Sequence, residues 1–202
     1  MARLQHDADT VVERFQPTSG RISGWLTVAF CVALVVAGVA YLDQGFPAWV
    51  AAAGLLVGVL AWAAMLRPAL WATEEHLVMR NLAETVHIRL AAIEELAVRQ
   101  VLAVRADDRR FVSTVVGRSW RKAMLARRTP GADDGPRDGM SYADWAEHRL
   151  HELVDAARKG AGVRPGSREQ LALPHPVRRE PDVVPLVLIA TSCVLLLVSF
   201  FV

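Results

Sequence analysis

A chain of 202 residues with 53% hydrophobic composition and a formal net charge of +2 lacks the strongly basic balance that nucleic acid selects. Its two cysteines, Cys31 and Cys193, both fall in long apolar runs, which excludes a disulfide framework of the secreted kind. The 116 residues of Arg67–Asp182, between the second and third of these runs, suffice for one small domain with its own core, not two.

Residues 1–24 are polar and mixed in charge, with a turn-like Pro17-Thr18-Ser19-Gly20, and predict a loosely ordered arm. Trp25–Leu42 is 18 residues and Ala48–Leu66 is 19 residues without a charge. Each approaches the roughly 20 residues a helix needs to cross a hydrocarbon core about 30 Å thick. Only Asp43–Pro47 separates them, so residues 25–66 predict a tight hairpin of transmembrane helices. A signal peptide is the competing reading of the first run, with Gly38-Val39-Ala40 as its cleavage site. The preceding 24 residues hold three acids, however, and a second run follows almost at once, so the helix is read as retained. The second run contains Gly54-x-x-x-Gly58, a spacing that lets helix backbones approach closely and marks a candidate packing surface.

After Arg67-Pro68 the pattern changes to short, β-rich segments. His76–Arg80 ends at the turn residue Asn81, Val86–Leu90 alternates at period two, and Ile93–Val98 is apolar-rich. Gln100–Arg105 and Arg110–Val116 flank the polar turn Ala106-Asp107-Asp108-Arg109 and read as a β-hairpin. Strands at spacings near ten residues predict a small antiparallel sheet or barrel. A basic, turn-rich stretch follows over Arg118–Gly139. Ser141 then opens a helix, with Ser141-x-x-Asp144 as a capping box and Trp145, Leu150, Leu153, Val154 and Ala157 as its apolar face. Gly160 and Gly162 end it, residues 163–182 read as an extended Pro/Arg-containing linker, and Val183–Val202, a third uncharged run of 20 residues, predicts a C-terminal transmembrane helix. All 23 lysines and arginines lie before Trp25 or within Arg67–Arg179. The positive-inside rule therefore predicts a multi-pass protein of the cell membrane, with the N-terminus and the middle region cytoplasmic and the C-terminus at the outer face.

Two membrane helices, a strand ending in Arg80-Asn81, an alternating strand over Val86–Leu90 and then a hairpin resemble membrane proteins with a bacterial pleckstrin-homology-like (PH-like) domain. His76–Leu96 carries most of the likeness. Arginine outnumbers lysine 21 to 2, a bias of GC-rich coding that fits actinobacterial members. Where the family has a Pro after the Asn and an aromatic after the second strand, this chain has Leu82 and Leu90-Ala91. The resemblance implies that residues 67–162 form a small antiparallel PH-like domain, with the helix from Ser141 plugging one end of a bent sheet. It implies almost nothing about ligand.

No phosphate-cradling glycine loop, Gly-x-Ser-x-Gly elbow or His-Glu-x-x-His is present. His148-x-x-His151, flanked by Glu147 and Glu152, is the most metal-like cluster, but no third ligand accompanies it and solvated helix histidines account for it. The expectation is therefore no enzyme, no cofactor and no metal. No run contains a buried charge, so no ion path or proton relay is expected, and the runs read as anchors or packing surfaces for other helices. Arg118, Trp120, Arg121, Lys122, Arg127 and Arg128 form a basic set suited to phosphates, with an interfacial tryptophan, and are the candidate contacts for lipid or partner. The expected function is a non-catalytic membrane-anchored adaptor or accessory subunit that presents its cytoplasmic domain to a membrane-protein partner. The alternative is a lipid-sensing module whose basic loop binds anionic headgroups of membrane lipids.

Overall fold

The computed structural model describes residues 10–18, 20–117 and 141–201. They divide into two compact units, a β-rich one formed by residues 10–18, 69–80, 85–117 and 141–180, and a helical one formed by 20–68, 81–84 and 181–201.

The β-rich unit contains two antiparallel sheets. In the first, β1 (Val11–Phe15), β2 (Ala69–Thr73), β3 (His76–Arg80), β4 (Glu84–Arg89) and β8 (Val177–Pro181) lie in that order. In the second, β5 (Glu95–Val98), β6 (Leu102–Ala106) and β7 (Arg109–Ser113) form a meander. A 3-10 turn over Leu90–Ala92 carries the chain from one sheet to the other. Leu77, Met79, Val86 and Ile88 from the first sheet and Leu96, Val98, Leu102, Val104 and Phe111 from the second meet in one core. The long helix α3 (Tyr142–Ala161) closes that core with Ala143, Ala146, Leu150 and Val154. Their spacing of three and four residues aligns them on one helix face.

Local chemistry accounts for the boundaries. The Ser141 Oγ accepts the Asp144 backbone N–H at 3.3 Å, capping α3, and Gly162 ends the helix at φ 67°, where a side chain would be strained. Asp107 and Asp108 both sit at φ 53°, the left-handed pair that a two-residue type I′ turn requires between β6 and β7.

Three expectations change. Residues 11–15, assigned to a loose arm, form the edge strand β1, whose register runs from Val11 opposite Thr73 to Phe15 opposite Leu70. The stretch 163–182, expected as an extended linker, folds back as a short helix α4 (Arg168–Leu171) and then β8. Trp145 is exposed: Ala143 and Ala146 take the core positions, and its ring lies 5.4 Å from Tyr142 and 6.3 Å from Phe15.

The helical unit contains α1 (Arg21–Ala40), α2 (Ala48–Ala61, extended by a π turn over Trp62–Leu66) and α5 (Val183–Ser199). Arg21–Ala40 and Ala48–Leu66, at 20 and 19 residues, are long and apolar enough to cross a membrane. The third apolar helix is shorter, 17 residues. Both α1 and α5 pack on α2. Arg67 and Asp182, at the ends of α2 and α5, form an ion pair at 2.5 Å, and the Arg67 guanidinium also lies 5.4 Å from the Trp62 ring centre.

Candidate functional site

The basic set Arg118, Trp120, Arg121, Lys122, Arg127 and Arg128 lies outside the described residues. Gly54 and Gly58 both turn toward α1. A Cβ at Gly58 would stand 3.0 Å from the Cys31 Cβ, and one at Gly54 would stand 3.4 Å from the Leu34 Cβ. Beside them runs an apolar groove of about 300 Å³, lined by Cys31, Val32 and Val35 of α1, by Gly58 and Trp62 of α2 and by Leu188 of α5.

His148 and His151 are exposed on α3. The His148 Nε2 lies 3.4 Å from the Glu152 Oε1, and no group of three metal-ligating side chains occurs among the described residues. The more consequential neighbour is Arg149, whose Nε donates to the Glu13 Oε2 at 2.6 Å and whose Nη1 donates to the Glu152 Oε2 at 2.8 Å. These bonds, the one to Glu13 foremost, hold the guanidinium above its ordinary value. In return, the Arg149 hydrogen bond holds the Glu152 carboxyl below the ordinary carboxylate range. The clasp ties β1 to α3. Glu13 is in the sequence for anyone to read, but its partner stands 136 positions away and no local pattern announces the pair.

A second fastening comes from Gln170, which is fully buried. Its Nε2 donates to the carbonyls of Ala91 and Ile93 at 3.0 and 2.9 Å, and its Oε1 accepts the Gly166 N–H at 2.7 Å. The Arg158 Nη2 reaches the same Ile93 carbonyl at 2.7 Å. The amide is thus satisfied at both ends, which makes its burial tolerable and fixes residues 163–171 onto the turn between the sheets.

Among the described residues, an open trough of about 900 Å³ lies on the outer side of the β5–β6–β7 sheet. Because side chains alternate, the core takes Leu96, Val98, Leu102, Val104 and Phe111, and their neighbours face outward. Register sorts the outward residues into rows. Glu95 stands opposite Arg105, which stands opposite Arg110; Ala97 stands opposite Ala103, which stands opposite Val112. One step further, Arg99 and Val101 face each other at the hairpin end, where the Arg99 N–H donates to the Val101 carbonyl at 3.1 Å. Arg105 is held by Glu94, Glu95 and Asp108 at 3.4, 3.9 and 3.4 Å. The Arg99 and Arg110 guanidiniums make no ion pair among the described residues. The trough therefore has a floor of small apolar side chains and a rim of both charge signs.

Comparison with family models, characterised proteins and solved structures finds no match to this chain.

Proposed function

We propose that this protein is a non-catalytic, membrane-anchored adaptor or accessory subunit that presents a cytoplasmic PH-like domain to a protein partner within a membrane complex. The observation that carries the reading is how often the chain passes between the β-rich unit and the apolar helices. Residues 16–20 lead from β1 into α1, Arg67-Pro68 leads from α2 into β2, and Asp182 alone leads from β8 into α5. The helical hairpin is thus an insertion between two adjacent strands of one sheet, and the last strand runs directly into the third helix. Three short connections anchor the domain's chain to the apolar helices at several points, which suits a membrane-anchored adaptor. The three helices carry no charge from Ile22 to Ala40, from Ala48 to Leu66 or from Val183 to Ser199, so they serve as anchors and helix-packing surfaces in this reading.

The test is purification of the tagged full-length chain from its native membranes in gentle detergent, followed by mass spectrometry. A stoichiometric membrane subunit is expected, and it is lost when residues 69–180 are replaced by a flexible linker. Recovery of the chain without any other polypeptide overturns the adaptor reading. Equal recovery of the partner without the domain assigns the contact to the helices.

A further inference from the structure

We propose that the outward face of the β5–β6–β7 sheet is a self-association surface. It packs against the same face of a second copy of this chain, about a two-fold axis running across the strands through Ala97, Ala103 and Val112.

The argument starts from the floor. Ala97, Ala103 and Val112 lie side by side in register across three strands, and all three are at least partly open. A sheet meant only for water carries long polar side chains in its central row. Here the centre is small and apolar, and the long charged groups stand on either side of it. Two such faces can approach until the alanines touch, at about the 10 Å spacing of stacked sheets.

The charges choose the occupant. A two-fold axis along the alanine row turns each strand over end for end, so that the row before it faces the row after it. Glu95 then meets Arg99 of the partner subunit, and Arg99 meets the partner's Glu95. Glu95 has only a 3.9 Å contact to Arg105 and is 75% exposed, and Arg99 has no ion pair among the described residues. Each copy supplies what the other lacks. Arg105 falls opposite Val101, and Arg110 falls opposite the exposed Thr114, so no like charges meet.

The other in-plane axis, along β6, would set Glu95 against Arg110 of the partner subunit but leaves Arg99 facing the uncharged Thr114. It would place Arg105 against its own symmetry mate, and like charges held together across an interface are strongly unfavourable. The axis across the strands also leaves the two sheets aligned, one of the two ways in which sheets stack. An acidic peptide fits less well, since Glu95 and Asp108 line the same trough. Isologous contacts of this kind are the commonest form of self-association.

Self-pairing is distinct from the hetero-partner proposed above, since crosslinking reads the first and co-purification reads the second. The experiment uses the full-length chain in its membranes with Cys31→Ala and Cys193→Ala, carrying a single cysteine at one position. Stacked sheets are too far apart for a direct disulfide, which needs Cα atoms within roughly 7 Å, so a short bis-maleimide is the probe. Ala103→Cys and Ala97→Cys are each expected to give crosslinked dimer, and Ala161→Cys, exposed at the end of α3, is not. In the Ala103→Cys chain, Glu95→Arg is expected to lower the dimer yield about tenfold or more, because Arg then faces Arg99. Adding Arg99→Glu exchanges the pair and restores the yield.

Equal crosslinking at positions 103 and 161, or dimer that survives Glu95→Arg, overturns the proposal. So does a double exchange that fails to regain what the single change lost. A foreign subunit crosslinked through position 103, with no dimer, assigns the face to that subunit and likewise overturns it.

Discussion

At the scale of single residues, the hydrogen bonds of Gln170 decide whether residues 163–171 belong to the domain. Its amide serves two carbonyls and one N–H while fully buried. Replacing it with leucine keeps the volume but leaves the Ala91 carbonyl and the Gly166 N–H without that partner. The Ile93 carbonyl keeps Arg158. Buried groups left in this way cost about 1–3 kcal/mol. Gln170→Leu is therefore expected to destabilise the β-rich unit by about 2 kcal/mol, read as a lower melting temperature of the full-length protein in detergent. Gln170→Glu should be worse, because a carboxylate would face two carbonyl oxygens and has no proton to offer them. A Gln170→Leu melting temperature equal to that of the wild type would show that this segment contributes nothing to folding.

At the scale of elements, the clasp between β1 and α3 has a pH dependence whose sign follows from Glu152. Its carboxyl is held below the ordinary range, by Arg149 first, so the folded state prefers the ionised form more than the unfolded chain does. The stabilisation is therefore fully present above the unfolded value and is lost as pH falls through the lower folded one. Wild type is expected to melt higher than Glu152→Gln at pH 7, with the difference closing below about pH 4. A difference that stays constant across that range would mean that the carboxylate's charge plays no part. The same two elements show what a sequence discloses and what it hides. Helix α3 was legible because its cap, most of its apolar face (Trp145 excepted) and its terminal glycine are all local. Strand β3 was legible from the turn residue Asn81 at its end, β4 from alternation, and the β6–β7 hairpin from its arms around a polar turn. The strand β1 was hidden, because Val11-Val12-Glu13-Arg14-Phe15 has no clean alternation and its partner β2 lies beyond two helices. The edge strand β8, Val177–Pro181, is almost wholly exposed, so burial left no mark on its composition. Its pairing is fixed by tertiary bonds, such as the Arg89 N–H donating to the Pro176 carbonyl at 2.9 Å. Legibility in the trough was partial for the same reason. Glu95, Ala97 and Arg99 alternate visibly, but only the register of three strands lines up Ala97, Ala103 and Val112.

At the scale of the whole molecule, the shortest apolar helix sets the sharpest test of the proposed membrane arrangement. Seventeen residues of α5 rise about 26 Å, slightly less than a hydrocarbon core of about 30 Å. A helix of that length can cross by local thinning of the bilayer, or it can lie along the surface. The two arrangements treat Cys193 differently. It is exposed on α5, ten positions after the first helical residue Val183 and thus about 15 Å along the axis. If α5 crosses, that thiol faces the middle of the bilayer and reacts with a membrane-impermeant maleimide from neither side. In a surface helix it reacts from the side on which the helix lies. With Cys31→Ala removing the other thiol, Cys193 in sealed vesicles is expected to stay unlabelled even after the membrane is made permeable. Phe201→Cys, in a chain with both native cysteines replaced, is expected to label from the face opposite the domain. Ala161→Cys in the same background, within the domain, should label only from the side opposite to that of position 201. Labelling of positions 161 and 201 from the same side would return α5 to the surface and leave the α1–α2 hairpin as the anchor.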